Sequence, residues 1–312
     1  MKICSISRVD DLPRDGAVFV ALGNFDGVHL GHAALLDAAK EGAASLSTPD
    51  RIVRPAVFTF RQGKASAITT LEERIALFAQ HGIEVLFIAD FDAFCRQSPE
   101  IFVRRTLKGL GAVGLTCGFN FRFGHRAAGD VRLLKTFAAA ERMNCRVIPP
   151  IIRDGITVSS TEIRHRLSKG DLAGVSYFLG RPWSIMGEVV HGRAVGGRIL
   201  SSPTLNLPVS TDRLLPPFGV YFTEAVIDGI RYPSVTNLGV RPTFGESEVL
   251  CETHLLDASG DFYGKTAEIR FLNFRRPERR FTSAEELADV IADDIADARR
   301  YFSCPNHLHA GT

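Results

Sequence analysis

Residues 23–32, GNFDGVHLGH, concentrate the groups best suited to phosphate chemistry. Gly23, Gly27 and Gly31 allow a ligand to approach the main chain closely. A helix beginning here presents unpaired N–H groups and positive potential to an anion. His29 and His32, three apart, share one side of that helix's opening turn. Imidazoles so placed can donate hydrogen bonds to a polyphosphate and stabilise charge developing on an α-phosphorus, with no covalent intermediate. Histidines at this spacing are also common as plain solvated residues, so the surrounding sequence has to decide.

Two more segments of the first half carry polar chemistry. VSSTEIR (158–164) reads as a capping box of Ser159 with Glu162, or as a second phosphate site at a helix start. GFNFRFGHRAAGD (118–130) sets Asn120 among Phe119, Phe121 and Phe123, rings for which core packing is the simplest use. In the second half, GEVVHGRAVGGRILSSPTLNL (187–207) joins a strand to a loop in which Gly192, Gly196 and Gly197 permit a phosphate cradle. No GK[ST] follows, which excludes a P-loop.

The elements that must hold these segments have two textures. From residue 17 to about 150, apolar runs AVFVAL, PAVFTF, EVLFIA and AVGLTCG alternate with amphipathic stretches. That is the pattern of βαβ units and a parallel sheet covered on both faces. Ser98 followed by Pro99 marks a helix start. After residue 182 come strands and turns, with Asp228-Gly229 as a hairpin signal. One helix, TSAEELADVIADDIADARRYF, closes the series, with Thr282 and Glu285 as its expected capping box. The fold class is thus α/β plus all-β: a Rossmann-like domain over 1–182, a small antiparallel barrel with a terminal helix over 183–304, and a tail, 305–312. The join is expected at LGRPW (179–183), where Gly180 and Pro182 interrupt a helical pattern.

Composition narrows the function classes. In 312 residues the acids and bases nearly balance, leaving a formal charge of +2, so a broad basic face for nucleic acid is not expected. No apolar run approaches a membrane span and the first ten residues lack a signal peptide's apolar core. Six scattered cysteines form no zinc pattern and fit a reducing, cytoplasmic compartment. Oligomeric state is left open.

The GNFDGVHLGH segment resembles the HxGH signature of nucleotidylyltransferases, in the form found in bacterial riboflavin kinase/FAD synthetases. The resemblance runs over residues 17 to 303. It implies that the first half adenylylates FMN to FAD, releasing pyrophosphate from ATP, with His29, His32 and Asn120 at the reacting groups. It also implies ATP-binding roles for Gly23, Phe25, Asp26, Gly27 and Gly31, and for Ser159, Ser160, Thr161 and Arg164. One segment departs: TFRQGKAS (59–66) lacks the family's Pro-His-Pro element. Either Arg61 or Lys64 supplies charge there, or the loop is solvated.

Pro203-Thr204-Leu205-Asn206 looks like the PTxN signature of riboflavin kinases. It implies that Thr204 and Asn206 help hold a magnesium ion on the phosphates, beside a loop carrying Gly192 and Gly197; oxygen ligands suit that hard cation. Glu252, in CETHLLD (251–257), matches the family's glutamate and is the expected general base for the riboflavin 5′-hydroxyl. Taken alone, a strand glutamate is more often solvent-facing. The matches NLGVRPTFGE (237–246) and GDFYGKTAEIRF (260–271) flank it. The implied function is riboflavin to FMN in the second half and FMN to FAD in the first, with riboflavin, FMN and ATP as small-molecule partners. The alternatives are a riboflavin kinase with a degenerate first half, or a non-enzymatic flavin-binding protein.

Overall fold

The computed structural model describes residues 1–8, 12–13, 16–61, 66–191, 203–210, 212–242, 247–279 and 281–304. The chain forms two compact units, Met1–Ser160 and Thr161–Thr312.

The first unit holds β1 (Lys2–Ile6), β2 (Ala17–Leu22), α1 (Leu30–Leu46), β3 (Val53–Phe60), α2 (Leu71–Gln80) and β4 (Val85–Ala89). It continues with α3 (Phe91–Phe94), α4 (Pro99–Ile101), a π-helical turn over Phe102–Leu107, β5 (Ala112–Gly118), α5 (Val131–Ala140) and β6 (Asn144–Ile148). Six strands form one sheet in the order β1-β4-β3-β2-β5-β6, parallel throughout. The strands read as continuous apolar runs because both faces are covered: Val18, Val20 and Leu22 enter one core, Phe19 and Ala21 the other. Ser98 caps α4 with Pro99 at its first position, as the sequence indicates.

The edge strand β1 has no counterpart in the sequence reading, which starts its strands at residue 17. KICSI lies half-buried, with Cys4 and Ile6 inward and Ile3 47% exposed, so its polar residues conceal it. From β2 the chain steps through β3 and β4 to one side, then returns to β5 and β6 on the other. This makes the gap between β2 and β5 the switch point of the sheet, where α/β folds open a ligand crevice beyond the carboxyl ends of the strands.

A two-stranded hairpin, β7 (Ile152–Arg153) and β8 (Ile156–Thr157), precedes α6 (Ser160–Ser168) and α7 (Leu172–Leu179). Packing of α7 on β9 (Trp183–Glu188) and β14 (Thr266–Pro277) joins these helices to the second unit, so the division falls after Ser160 and ahead of the expected join at 179–183.

Between β9 and β14 lie β10 (Thr204–Val209), β11 (Gly219–Ile227), β12 (Ile230–Pro242) and β13 (Ser247–Leu255). The antiparallel order is β10-β13-β12-β11-β14-β9. Its two ends meet where Val190 N–H donates to Asn206 O at 2.9 Å, so the sheet nearly closes into a barrel. Asp228-Gly229 forms the two-residue turn of β11–β12, both with positive φ. Inside, Trp183, Leu205, Tyr221, Ile269 and Phe271 are buried, and a chain of hydroxyls runs among them. Thr223 Oγ1 lies 2.8 Å from Ser234 Oγ and 2.7 Å from Thr236 Oγ1, which lies 2.8 Å from Thr253 Oγ1.

Helix α8 (Ala284–Ser303) covers the outer side of the barrel, Ile295, Ala298, Tyr301 and Phe302 packing on Val220, Phe222 and Val235. Its cap is Ser283, one residue after the expected Thr282, and accepts from Glu286 N. Glu286, not Glu285, reaches back, accepting from both N and Oγ1 of Thr282. Ser283 wins because it places a carboxylate three residues into the helix while leaving Thr282 a partner of its own.

Candidate active sites

The loop between β2 and α1 emerges at the switch point. His29 is the N-cap of α1, its Nδ1 accepting from His32 N at 3.3 Å. An imidazole that accepts at Nδ1 carries its proton at Nε2 when neutral. The two imidazoles stack with centroids 3.7 Å apart at 17°. Gly31 lies close under the first ring: a Cβ there would stand 3.1 Å from His29 Cε1, so the imidazole would have to shift to admit one.

Ahead of the histidines the backbone is strained. Phe25, Gly27 and Val28 have φ of 54°, 82° and 41°, and for the non-glycine residues this costs on the order of 1–3 kcal/mol each. The turn is held from several sides. Asp26, 3% exposed, uses Oδ1 to accept from Ile68 N at 2.8 Å and Thr69 N at 3.3 Å. Gly27 N donates to Thr69 Oγ1. Asn24 O accepts from Thr59 Oγ1 and from Arg74 Nη1, and Phe25 packs edge-on against Phe78. Ser160 Oγ, at the start of α6, donates to Asp26 O at 2.9 Å.

The loop after β5 opens beside this one, because Leu22 and Cys117 are register partners near the ends of β2 and β5. It places Asn120 in solvent just past β5, with Phe119 44% exposed, while Phe123 is buried. Phe121 and Phe123 stack at 5.7 Å. Ser159 is half-buried before α6; Thr161 in its first turn is exposed and Arg164 half-buried. Arg61 forms an exposed ion pair with Asp90 at 3.5 Å, and Lys64 lies outside the described residues.

In the second unit, Thr204 and Asn206 occupy alternate positions of β10, on the face opposite the buried Leu205 and Leu207. The register sets Asn206 opposite Glu252 and Thr204 opposite His254. On its other side Glu252 faces Asn237 of β12. Directly opposed side chains in an antiparallel pair stand about 5 Å apart at Cβ, so Asn206, Glu252 and Asn237 form one polar row. Thr204 Oγ1 and His254 Nδ1 are buried with no hydrogen-bond partner among the described residues. Burial, and then the charge of Arg299, lower the pKa of His254. Gly192 and Gly197 lie outside the described residues.

The structure thus gathers the two histidines, the loop of residues 23–27 and Ser160 in one place, and Thr204, Asn206 and Glu252 in another. Sequence reasoning missed Arg74, Thr59, Thr69 and Asn237. Two of them had a signal: Thr59 opens the TFRQGKAS segment, and Asn237 opens the NLGVRPTFGE match and shares parity with Glu252 in the sheet.

A family model described as FAD synthetase matches residues 12–162 and one described as riboflavin kinase matches 179–302. Among curated proteins named bifunctional riboflavin kinase/FMN adenylyltransferase, that of Pseudomonas fluorescens is 35% identical, covering 92% of this chain and 94% of its own. The Escherichia coli K12 protein is 33% identical over 96% and 97%, and that of Bacillus subtilis 32% over 91% and 92%. A crystal structure titled macrolide-efflux protein from Streptococcus pneumoniae superposes with a TM-score of 0.80 at 26% identity, covering 96% of this chain and 99% of that one. Among the described residues no helix is long and apolar enough to cross a membrane. With both halves matched in order, and full-length relatives that share them, the chain belongs to the bifunctional riboflavin kinase/FMN adenylyltransferase family and carries both activities.

Proposed function

We propose that residues 1–182 adenylylate FMN at the carboxyl ends of β2 and β5, and that residues 183–304 phosphorylate riboflavin on the outer face of β10 and β13. The observation that carries the kinase assignment is the row Asn206–Glu252 beside the buried hydroxyl of Thr204, which has no hydrogen-bond partner among the described residues. Glu252 takes the proton of the riboflavin 5′-hydroxyl as its oxygen attacks the γ-phosphorus; the bond to the β,γ-bridging oxygen breaks and ADP leaves. Thr204 and Asn206 are hard oxygen donors two residues apart on one face, which fits magnesium. They would hold such an ion, which would supply charge to offset that of the phosphates. Gly192 and Gly197 keep the phosphate-loop role that the family resemblance gives them.

Adenylyl transfer needs no protein nucleophile. A phosphate oxygen of FMN attacks the α-phosphorus of ATP, the bond to the α,β-bridging oxygen breaks, and pyrophosphate leaves. His29, through Nε2–H, and His32 hydrogen-bond the phosphoryl oxygens as charge builds. The main chain at Gly23, Phe25, Gly27 and Gly31 and the α1 N-terminus receive the phosphates, with Ser159, Thr161 and Arg164 on the triphosphate and Asn120 toward the flavin. Asp26 and Ser160 serve by shaping the loop, since their side chains bond within the protein. Six free thiols suit a reducing cytoplasm.

The chain lacks the Pro-His-Pro element, and Arg61 is paired with Asp90, so this loop's charge is not what carries adenylyl transfer in this reading. Riboflavin, ATP and magnesium given to the purified protein test the assignment: FAD supports it, and FMN alone would remove the adenylyl-transfer half. Glu252→Gln is expected to lose FMN formation by at least about 100-fold while still converting supplied FMN to FAD. Loss of both activities in a folded variant would refute two separate sites.

A further inference from the structure

Arg74 lies in LEERIALFAQ, where a run of charges predicts a solvated helix face, yet it is 1% exposed. A guanidinium is expensive to bury, and burial is the main influence on it, lowering its pKa against the favourable charges of Asp26 and Glu72. Among the described residues Nε has no hydrogen-bond partner, and Nη1 donates at 2.9 Å to the carbonyl of Asn24, fifty positions away. Asn24 is the residue before the left-handed turn of Phe25, Gly27 and Val28, which ends on His29. Phe78, one helical turn beyond Arg74, packs its ring on Phe25, whose other neighbour is the imidazole of His32 at 5.2 Å. One face of α2 therefore grips two successive residues of the turn, one by a charged hydrogen bond and one by an aromatic contact.

We propose that Arg74 is a positioning residue for adenylyl transfer. Acting through the Asn24 carbonyl, with Thr59 as the weaker second donor, it keeps the strained turn wound so that His29 Nε2 and the α1 N-terminus are aimed before ATP arrives. A buried cation suits this task because its hydrogen bond to a carbonyl is stronger than a neutral one and no water competes for it. The inference rests on the assignment of adenylyl transfer to His29 and His32.

The test compares Arg74→Met, Arg74→Lys, Thr59→Val and His29→Asn, each assayed for FAD from FMN with varied ATP and, as an internal control, for FMN from riboflavin. For Arg74→Met, kcat for FAD formation is expected to fall about 100-fold, KM for ATP to stay within about threefold, and the kinase rate to be unchanged. Arg74→Lys, which keeps charge and one donor, is expected to restore part of that kcat, and Thr59→Val to lower it less than Arg74→Met does. Should Arg74→Met fail to fold, Arg74→Lys and Thr59→Val carry the test through the same split of kcat from KM. The proposal is overturned if folded Arg74→Met keeps kcat within threefold of the parent. It is also overturned if kcat, KM and melting temperature move together with no rescue by lysine. Full FAD formation in His29→Asn would instead remove the assignment on which the proposal stands.

Discussion

His29 accepts the N–H of His32 at Nδ1 while the two rings stack 3.7 Å apart. One imidazole is thus the cap that starts α1 and, in the proposed reaction, a hydrogen-bond donor to the phosphoryl oxygens. The two roles can be separated. His29→Asn keeps a good capping acceptor, and its thermal unfolding is expected to match the parent, whereas His29→Ala loses about 1 kcal/mol. Both are expected to lower FAD formation by about 100-fold or more and leave riboflavin phosphorylation intact. Equal stability of the two variants would mean that the cap contributes nothing.

Among the described residues the hydroxyl of Thr204 is buried without a hydrogen-bond partner, a cost that the proposed magnesium site accounts for. Thr204→Val keeps the shape and removes the orphan oxygen. Stability of the second unit is expected to hold or to rise by up to about 1 kcal/mol, while FMN formation demands more magnesium for half its maximal rate. Trp183 is the sole tryptophan and lies buried in β9, so its fluorescence in urea reports this unit alone. A clear loss of stability would show that the hydroxyl serves the fold.

The pKa of His254 is lowered from the ordinary imidazole value of 6.5, first by burial and then by Arg299, which is itself paired with Asp257. The folded state therefore disfavours the protonated ring, and the unfolded chain takes up the proton more readily. The second unit is expected to be most stable above pH 6.5 and to weaken as pH falls below it. Urea midpoints from Trp183, without magnesium, measure the slope, and His254→Gln is expected to flatten it. An unchanged slope in that variant would assign the effect to other groups.

Burial pushes the thiols of Cys117 and Cys251 up to about 12 and raises that of Cys145, while Cys304 is exposed. Because the thiolate is the reactive form, iodoacetamide at pH 8 is expected to modify Cys304 first and to reach Cys117 and Cys251 only on unfolding. Peptide mass spectrometry reads the order. Labelling of Cys251 in the folded protein at the rate of Cys304 would contradict the closed barrel interior.

Much of this architecture can be read from residues that act locally. AVFVAL and AVGLTCG coincide with β2 and β5, because a strand covered on both faces leaves no room for polar residues. Asp228-Gly229 turns where it should, because few residues tolerate its backbone. What escaped depends on distance along the chain. Arg74 looks like one member of a charged run until the fold brings Asn24 over it. Asn206 and Glu252 are register partners only because β10 pairs with β13, and no local pattern states that pairing. The edge strand β1 escaped for the opposite reason, being too short and too polar to stand out.

The hydroxyls of Ser234, Thr223, Thr236 and Thr253 inside the barrel have a consequence for assembly. Were β12 to slip one residue against β11 and β13, its two hydroxyls would swing to the outer face, stranding Thr223 and Thr253 among apolar neighbours. The same slip would carry Glu252 away from Asn237. The chain thus acts as a proofreading device for strand alignment: the barrel can close fully only in the arrangement that also assembles the face proposed for the kinase reaction.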